Sequence, residues 1–138
     1  MEKITRKEIK KASAVFTDIF SKYEAYDVLF GKRNRLKRMY YLFRAEVFCA
    51  QNFTYKDGDF LALCSIKTPS DTEIELKKAF ANPFFDLAFF PNVGIKQAKI
   101  AKQYVEMADS VAQKYYDPQT DCYIKNIGVI EKCRGQGK

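Results

Sequence analysis

Residues 121–138, Asp-Cys-Tyr-Ile-Lys-Asn-Ile-Gly-Val-Ile-Glu-Lys-Cys-Arg-Gly-Gln-Gly-Lys, constrain this chain more than any other segment. Tyr123, Ile124, Ile127, Val129 and Ile130 are aromatic, β-branched or aliphatic, and they predict a β-strand. Arg134-Gly135-Gln136-Gly137 then stops the strand. Two glycines so close together permit positive φ angles and let a ligand approach the backbone. With Arg134 and Lys138 beside them, the loop amides read as an anion nest suited to phosphate. The alternative is a flexible polar tail, a common state of glycine-rich termini. A P-loop is rejected, because position 132 is Lys132 rather than glycine and no Ser or Thr follows Lys138.

The run Ile-Gly-Val-Ile-Glu-Lys-Cys-Arg-Gly-Gln-Gly-Lys resembles the signature of the GCN5-related N-acetyltransferases. That signature is a strand of the type aliphatic-x-Val, a short turn, then Arg/Gln-x-x-Gly-x-Gly/Ala opening a helix. Arg134 matches its first position and Gly137 its first required glycine, and Lys138 fills the free position after it. The final Gly/Ala would come next, and the sequence stops before it. The specific part of the resemblance covers about the last dozen residues.

Length allows one domain, residues 1–138. Hydrophobic residues at 47% and aromatics at 15% are enough for a packed core. No apolar run approaches a membrane span, and residues 1–4 read as opening a charged helix rather than a signal peptide, so a cytoplasmic location is expected by default. Cys49, Cys64, Cys122 and Cys133 form no Cys-x-x-Cys pair, and histidine is absent, so no metal site is expected. The absence of histidine also excludes Ser-His-Asp and Cys-His catalysis within the chain. The net charge of +7 suits a polyanionic partner such as a nucleotide cofactor, though a lysine-rich surface gives the same balance.

From the start of the chain, Thr5-x-x-Glu8 is a capping box, followed by an apolar face at Ile9, Ala12, Phe16, Ile19 and Phe20. Residues 21–31 are mixed but apolar enough to cover a core, and Gly31 ends them. A second helix is expected over 33–51, burying Leu36, Met39, Tyr40, Phe43, Val47 and Ala50. Lys32, Arg33, Arg35, Lys37 and Arg38 crowd its start against the helix dipole and read as a solvated face. They lack the aromatic interleaving of nucleic-acid grooves, so nucleic acid is not the expected partner. Residues 53–66 read as a hairpin turning at Asp57-Gly58, with its second strand buried on both faces. Ser70-x-x-Glu73 predicts a short helix to Ala81. Residues 82–91 are the most aromatic and read as sealing a core edge. The longest helix is expected over 93–116, its Ala98, Ala101, Val105, Ala108 and Ala112 stripe lying close on a sheet.

This order is similar to the N-terminal half and centre of the acetyltransferase fold. The resemblance implies an α+β, three-layer acyl-CoA N-acyltransferase domain. Its mixed, mostly antiparallel sheet would be flanked by helices, with the C-terminal part missing. In that family the strand matching residues 121–129 is splayed from its neighbour, and its backbone holds the pantetheine arm and polarises the acetyl carbonyl. The resemblance thus implies main-chain contacts from Ile127, Gly128 and Val129. It also implies diphosphate binding by Arg134, Gly135, Gln136, Gly137 and Lys138. The implied reaction transfers acetyl from acetyl-CoA to a primary amine whose identity stays open. No catalytic residue is assigned. Asp121 and Glu131 flank the strand as candidate bases, with Tyr123 behind them. A shortened chain is expected to bind acetyl-CoA weakly, to turn nothing over alone, and to self-associate through the exposed edge of its last strand. The competing readings are a basic, non-catalytic binding module and an inactive, self-associating remnant.

Overall fold

Thr5 and Glu8 start the first helical segment as their spacing predicts. The Glu8 carboxylate accepts from the Thr5 N–H at 2.8 Å and from its hydroxyl at 2.9 Å. The computed structural model describes residues 1–75, 78, 81 and 83–135, the side chains of 83–87 excepted. The elements in order are β1 (Glu2–Lys3), α1 (Ile9–Phe20), α2 (Ala25–Phe30), α3 (Arg35–Cys49), β2 (Thr54–Asp57), β3 (Ala62–Lys67), α4 (Pro83–Val93), α5 (Ile95–Ala112) and β4 (Tyr123–Val129). The architecture is α+β, with four antiparallel strands in the order β1-β2-β3-β4.

The α1 stripe packs as read, with Ile9, Ala12, Phe16 and Ile19 buried and Phe20 half-buried. Phe16 and Phe20 stack on Phe43 of α3 at 5.7 and 5.5 Å between ring centres. The mixed stretch after α1 forms the short α2, which buries Leu29 and Phe30 and ends at Gly31 with φ +68°. On the sheet, Leu63 and Ser65 of β3 and Thr54 of β2 turn toward these helices. Thr54 donates to the Ala50 carbonyl at 2.9 Å and shares a 2.8 Å hydrogen bond with Ser65. On the opposite face, Tyr55, Cys64 and Ile127 line up in register. Ile124 and Ile127 remain 53% and 62% exposed there.

Several expectations are corrected. The first residues are not helical: Glu2 and Lys3 pair with Lys56 and Tyr55, because Ile4 is anchored in the core and its N–H donates to Thr54 O at 3.0 Å. Leu36 is 52% exposed rather than buried, since the first turn of α3 is held through its arginines instead. Arg35 pairs with Asp27 at 2.9 Å, and Arg38 donates to the Phe30 carbonyl. These two cations serve α2, so that part of the charged run is not simply solvated. The hairpin loop is Gly58–Leu61, and buried Phe60 adopts φ +65° within it. Glu73 forms no capping box with Ser70: its carboxylate goes to Lys125 and Lys67. The remainder of that expected helix, at 76, 77, 79 and 80, lies outside the described residues.

Phe89 enters the core as a sealing residue, whereas the side chains of Phe84 and Phe85 lie outside the described residues. Gly94, at φ +83°, divides α4 from α5, so the long helix begins at Ile95. Its alanine stripe does not settle on the sheet. Only Ala101 is fully buried, in helix–helix contact, while Tyr104, Met107 and Val111 stay exposed.

Candidate functional site

β4 forms as the sequence predicts, and its alternation decides which peptide groups are available. Ile130 N–H donates to Leu61 O at 3.0 Å. Counting back by two along an antiparallel pair, Gly128 and Asn126 also turn their peptide groups toward β3. Ile127 and Val129 therefore turn theirs to the outer edge, and among the described residues β4 is the last strand of the sheet. Gly128 has a different reason to be glycine: a Cβ there would lie 2.4 Å from Ile19 Cγ2. Its missing side chain lets the last turn of α1 sit directly on β4.

After β4 the chain makes a 3-10 turn at Glu131–Cys133, with Cys133 buried as an anchor. Arg134 is extended, and Gly135 takes φ +75° with no described atom within 4 Å of where a Cβ would sit. The Arg134 N–H is already used, donating to Glu131 O at 3.2 Å. Its side chain is engaged as well. Nε donates to Val129 O at 3.2 Å and Nη2 to Ile19 O at 3.3 Å. The structure thus brings together the outward peptide groups of Ile127 and Val129, the Arg134 guanidinium and Gly135. The remaining expected loop residues, Gln136, Gly137 and Lys138, lie outside the described residues.

The candidate acid and base residues are occupied in local structure. Asp121 accepts from the Asp117 N–H at 2.9 Å and from Thr120 at 3.1 Å, closing the turn before β4. Glu131 pairs with Lys22 at 2.7 Å, and that ammonium holds its carboxyl below the usual range. Tyr123 packs its ring on Tyr116 at 5.3 Å.

A group the sequence reading missed lies at the other end of β4. The register of β3 and β4 shifts between Ser65 and Ile66, leaving Lys125 as an extra residue. Lys125 ion-pairs with Glu73, and Asn126 donates to Glu46 of α3 at 3.3 Å. Burial raises the Glu46 carboxyl above its ordinary range, although Lys125 and Asn126 favour its ionised form. Burial works against the charge on Lys125, but Glu73 and Glu46 outweigh it and raise its pKa. The signal for Glu46 was present in the sequence, as one carboxylate inside the otherwise apolar run Ala45-Glu46-Val47-Phe48-Cys49. A partly buried carboxylate with raised proton affinity has the property that a general base needs.

Among the described residues no cluster of three metal-ligating side chains occurs, and no helix is long and apolar enough to cross a membrane. Three of the four cysteines are buried, and all four are free thiols. No known family model matches the chain, and no curated protein matches it.

Proposed function

We propose that this chain carries the acetyl-CoA-binding half of a GCN5-related N-acetyltransferase, a domain that moves an acetyl group from acetyl-CoA to a primary amine. One observation carries the reading: the outward N–H and carbonyl of Ile127 and the outward N–H of Val129 lie along a strand edge with no described partner strand, which runs straight into the turn that ends at Arg134 and Gly135. An edge of that kind fits an amide-bearing pantetheine arm, which can pair with it as a short strand would. The positive φ at Gly135 and the basic surroundings favour the diphosphate at the end of the arm. In the transfer, the neutral amine attacks the acetyl carbonyl, the C–S bond breaks and the thiolate leaves. The chain's part is to orient the thioester and to take the amine's proton; among the described carboxylates Glu46, held by Asn126 at the other end of β4, has the raised proton affinity that suits the second task.

The test is an acetyl-CoA titration of the full chain followed by backbone amide NMR. Binding with a Kd of roughly 1 mM is expected, with shifts concentrated at Ile127, Val129 and Gly135. No shift at several times that concentration, or shifts confined to the Lys32–Arg38 surface, overturns the reading. An oligonucleotide titration at two salt concentrations covers the basic-module alternative, whose affinity must fall steeply with salt. The open edge of β4 also favours self-pairing. Sedimentation with and without acetyl-CoA distinguishes the two uses, because an edge filled by the arm cannot pair with a second copy.

A further inference from the structure

The loop's arginine is the natural candidate for a direct phosphate ligand, yet its guanidinium faces inward. Nε and Nη2 are given to Val129 O and Ile19 O, two acceptors that nothing in the local sequence links. Ile19 lies in the last turn of α1, where backbone carbonyls have no partner within the helix and the helix dipole is negative. A planar, permanently charged fork suits that place better than a lysine does. The same turn of α1 meets β4 a second time through the Ile19 side chain over Gly128. Just beyond that turn, Lys22 pairs with Glu131 of the segment that follows β4.

We infer that Arg134 is a positioning residue that locks the end of β4 and the loop onto the C-terminus of α1, and that it is not itself a ligand of the diphosphate. The inference rests on the acetyl-CoA reading above only for what the loop binds. Val129 O is an outward group of β4, so the guanidinium closes the open edge at its far end. An arm lying on that edge would end where Arg134 turns the chain, and the peptide groups rather than the side chain would meet the anion. The amide of Arg134 is held in the 3-10 turn, which leaves Gly135 as the first described residue free to serve.

Acetyl-CoA and S-acetylpantetheine, which lacks the nucleotide and its diphosphate, are titrated against the wild-type chain, Arg134→Gln and Arg134→Lys. A positioning role predicts that Arg134→Gln weakens both ligands by the same factor, about threefold to tenfold, with Arg134→Lys in between because it can satisfy only one carbonyl. A loss confined to acetyl-CoA makes Arg134 a phosphate ligand and overturns the proposal. Amide hydrogen exchange on the free protein gives a readout that needs no ligand. The amides of Ile130, Cys133 and Arg134 should exchange about tenfold faster in Arg134→Gln, with core amides of α3 unchanged. Unchanged exchange at those three amides also overturns it. If the wild-type chain binds neither ligand, the cofactor reading fails, and the exchange experiment still decides whether the lock exists.

Discussion

The two ends of β4 are held by opposite kinds of force. At its start, Lys125 and Asn126 reach into a half-buried charged group made by Glu73 and Glu46. At its finish, Gly128 lies against Ile19 with no side chain between them, and the chain then turns under Arg134. The first end depends on compensation among charges taken partly out of water. The second depends on closeness, which a single added methyl group can destroy. Inside these ties the strand offers the Ile127 peptide groups and the Val129 N–H outward, while the Val129 carbonyl is taken by Arg134. The strand is thus fixed at both ends and open in the middle of its edge.

The sharpest way to break this contrast is at the close end. Gly128→Val puts a branched side chain where a Cβ alone would be 2.4 Å from Ile19 Cγ2. The expected loss is about 3 kcal/mol, read as a lower urea midpoint at unchanged slope. Pairing it with Ile19→Ala should recover part of that loss, so the two changes should be non-additive. Additive losses would show that the clash is not between these two groups.

The charged end should respond less. Lys125→Met removes the cation between Glu73 and Glu46 and leaves two carboxylates facing one another. Breaking a fully buried pair costs roughly 3–5 kcal/mol. The Lys125 and Glu73 side chains keep 24% and 31% exposure, so about 2 kcal/mol is expected here. The deficit should shrink in acid, as protonation of the carboxylates relieves their repulsion. A deficit constant with pH would mean that packing of the lysine stem, not its charge, is what is lost.

Glu46 gives a smaller effect with a defined sign. Burial raises its folded pKa above the ordinary carboxylate range. Its stabilising contribution is therefore complete below the unfolded pKa and is lost as pH rises through the folded value. At neutral pH the ionised group is a liability, so Glu46→Gln should raise stability by about 1 kcal/mol, and the gain should vanish in acid. If Glu46→Gln destabilises at neutral pH, the ion-pair attraction of Lys125 outweighs desolvation and Glu46 is an ordinary carboxylate.

The two ends of β4 were unequally legible in the sequence, for a physical reason. A strand over 123–129 follows from residue types that favour pleated, half-buried backbone, and the hairpin follows from Asp57-Gly58, because both signals are local. The α+β class follows from those elements and the amphipathic stripe of α1. What the local pattern does not contain is the partner. The Ser70-x-x-Glu73 spacing is sound capping chemistry, but Glu73 finds Lys125 instead. The alanine stripe of α5 has helical period, and period does not say whether a sheet or another helix receives it. β1 is too short to show any alternation, and only Ile4 marks it. Arg134 reads as a phosphate ligand beside glycines, whereas its acceptor Ile19 is 115 positions away in the chain. Gly128 was noticed for its backbone, and its place under α1 could come only from the packed structure.

The smallest effect should come from the tie that looks most direct on paper. Lys22 and Glu131 meet at 2.7 Å across the same junction that Ile19, Gly128 and Arg134 hold. Both side chains are about 70% exposed, so water already satisfies each charge and salt screens the pair. The lowered pKa of Glu131 reflects its contact with Lys22 at a site that solvent reaches freely, and it carries no stability of note. Its folded pKa is depressed, so whatever it contributes is present at neutral pH and disappears in acid. Lys22→Ala should leave the urea midpoint within error at physiological salt, and should leave exchange at the Arg134 amide unchanged. A loss comparable to that of Gly128→Val would show that charge, rather than close contact, governs this end of β4 as it governs the other.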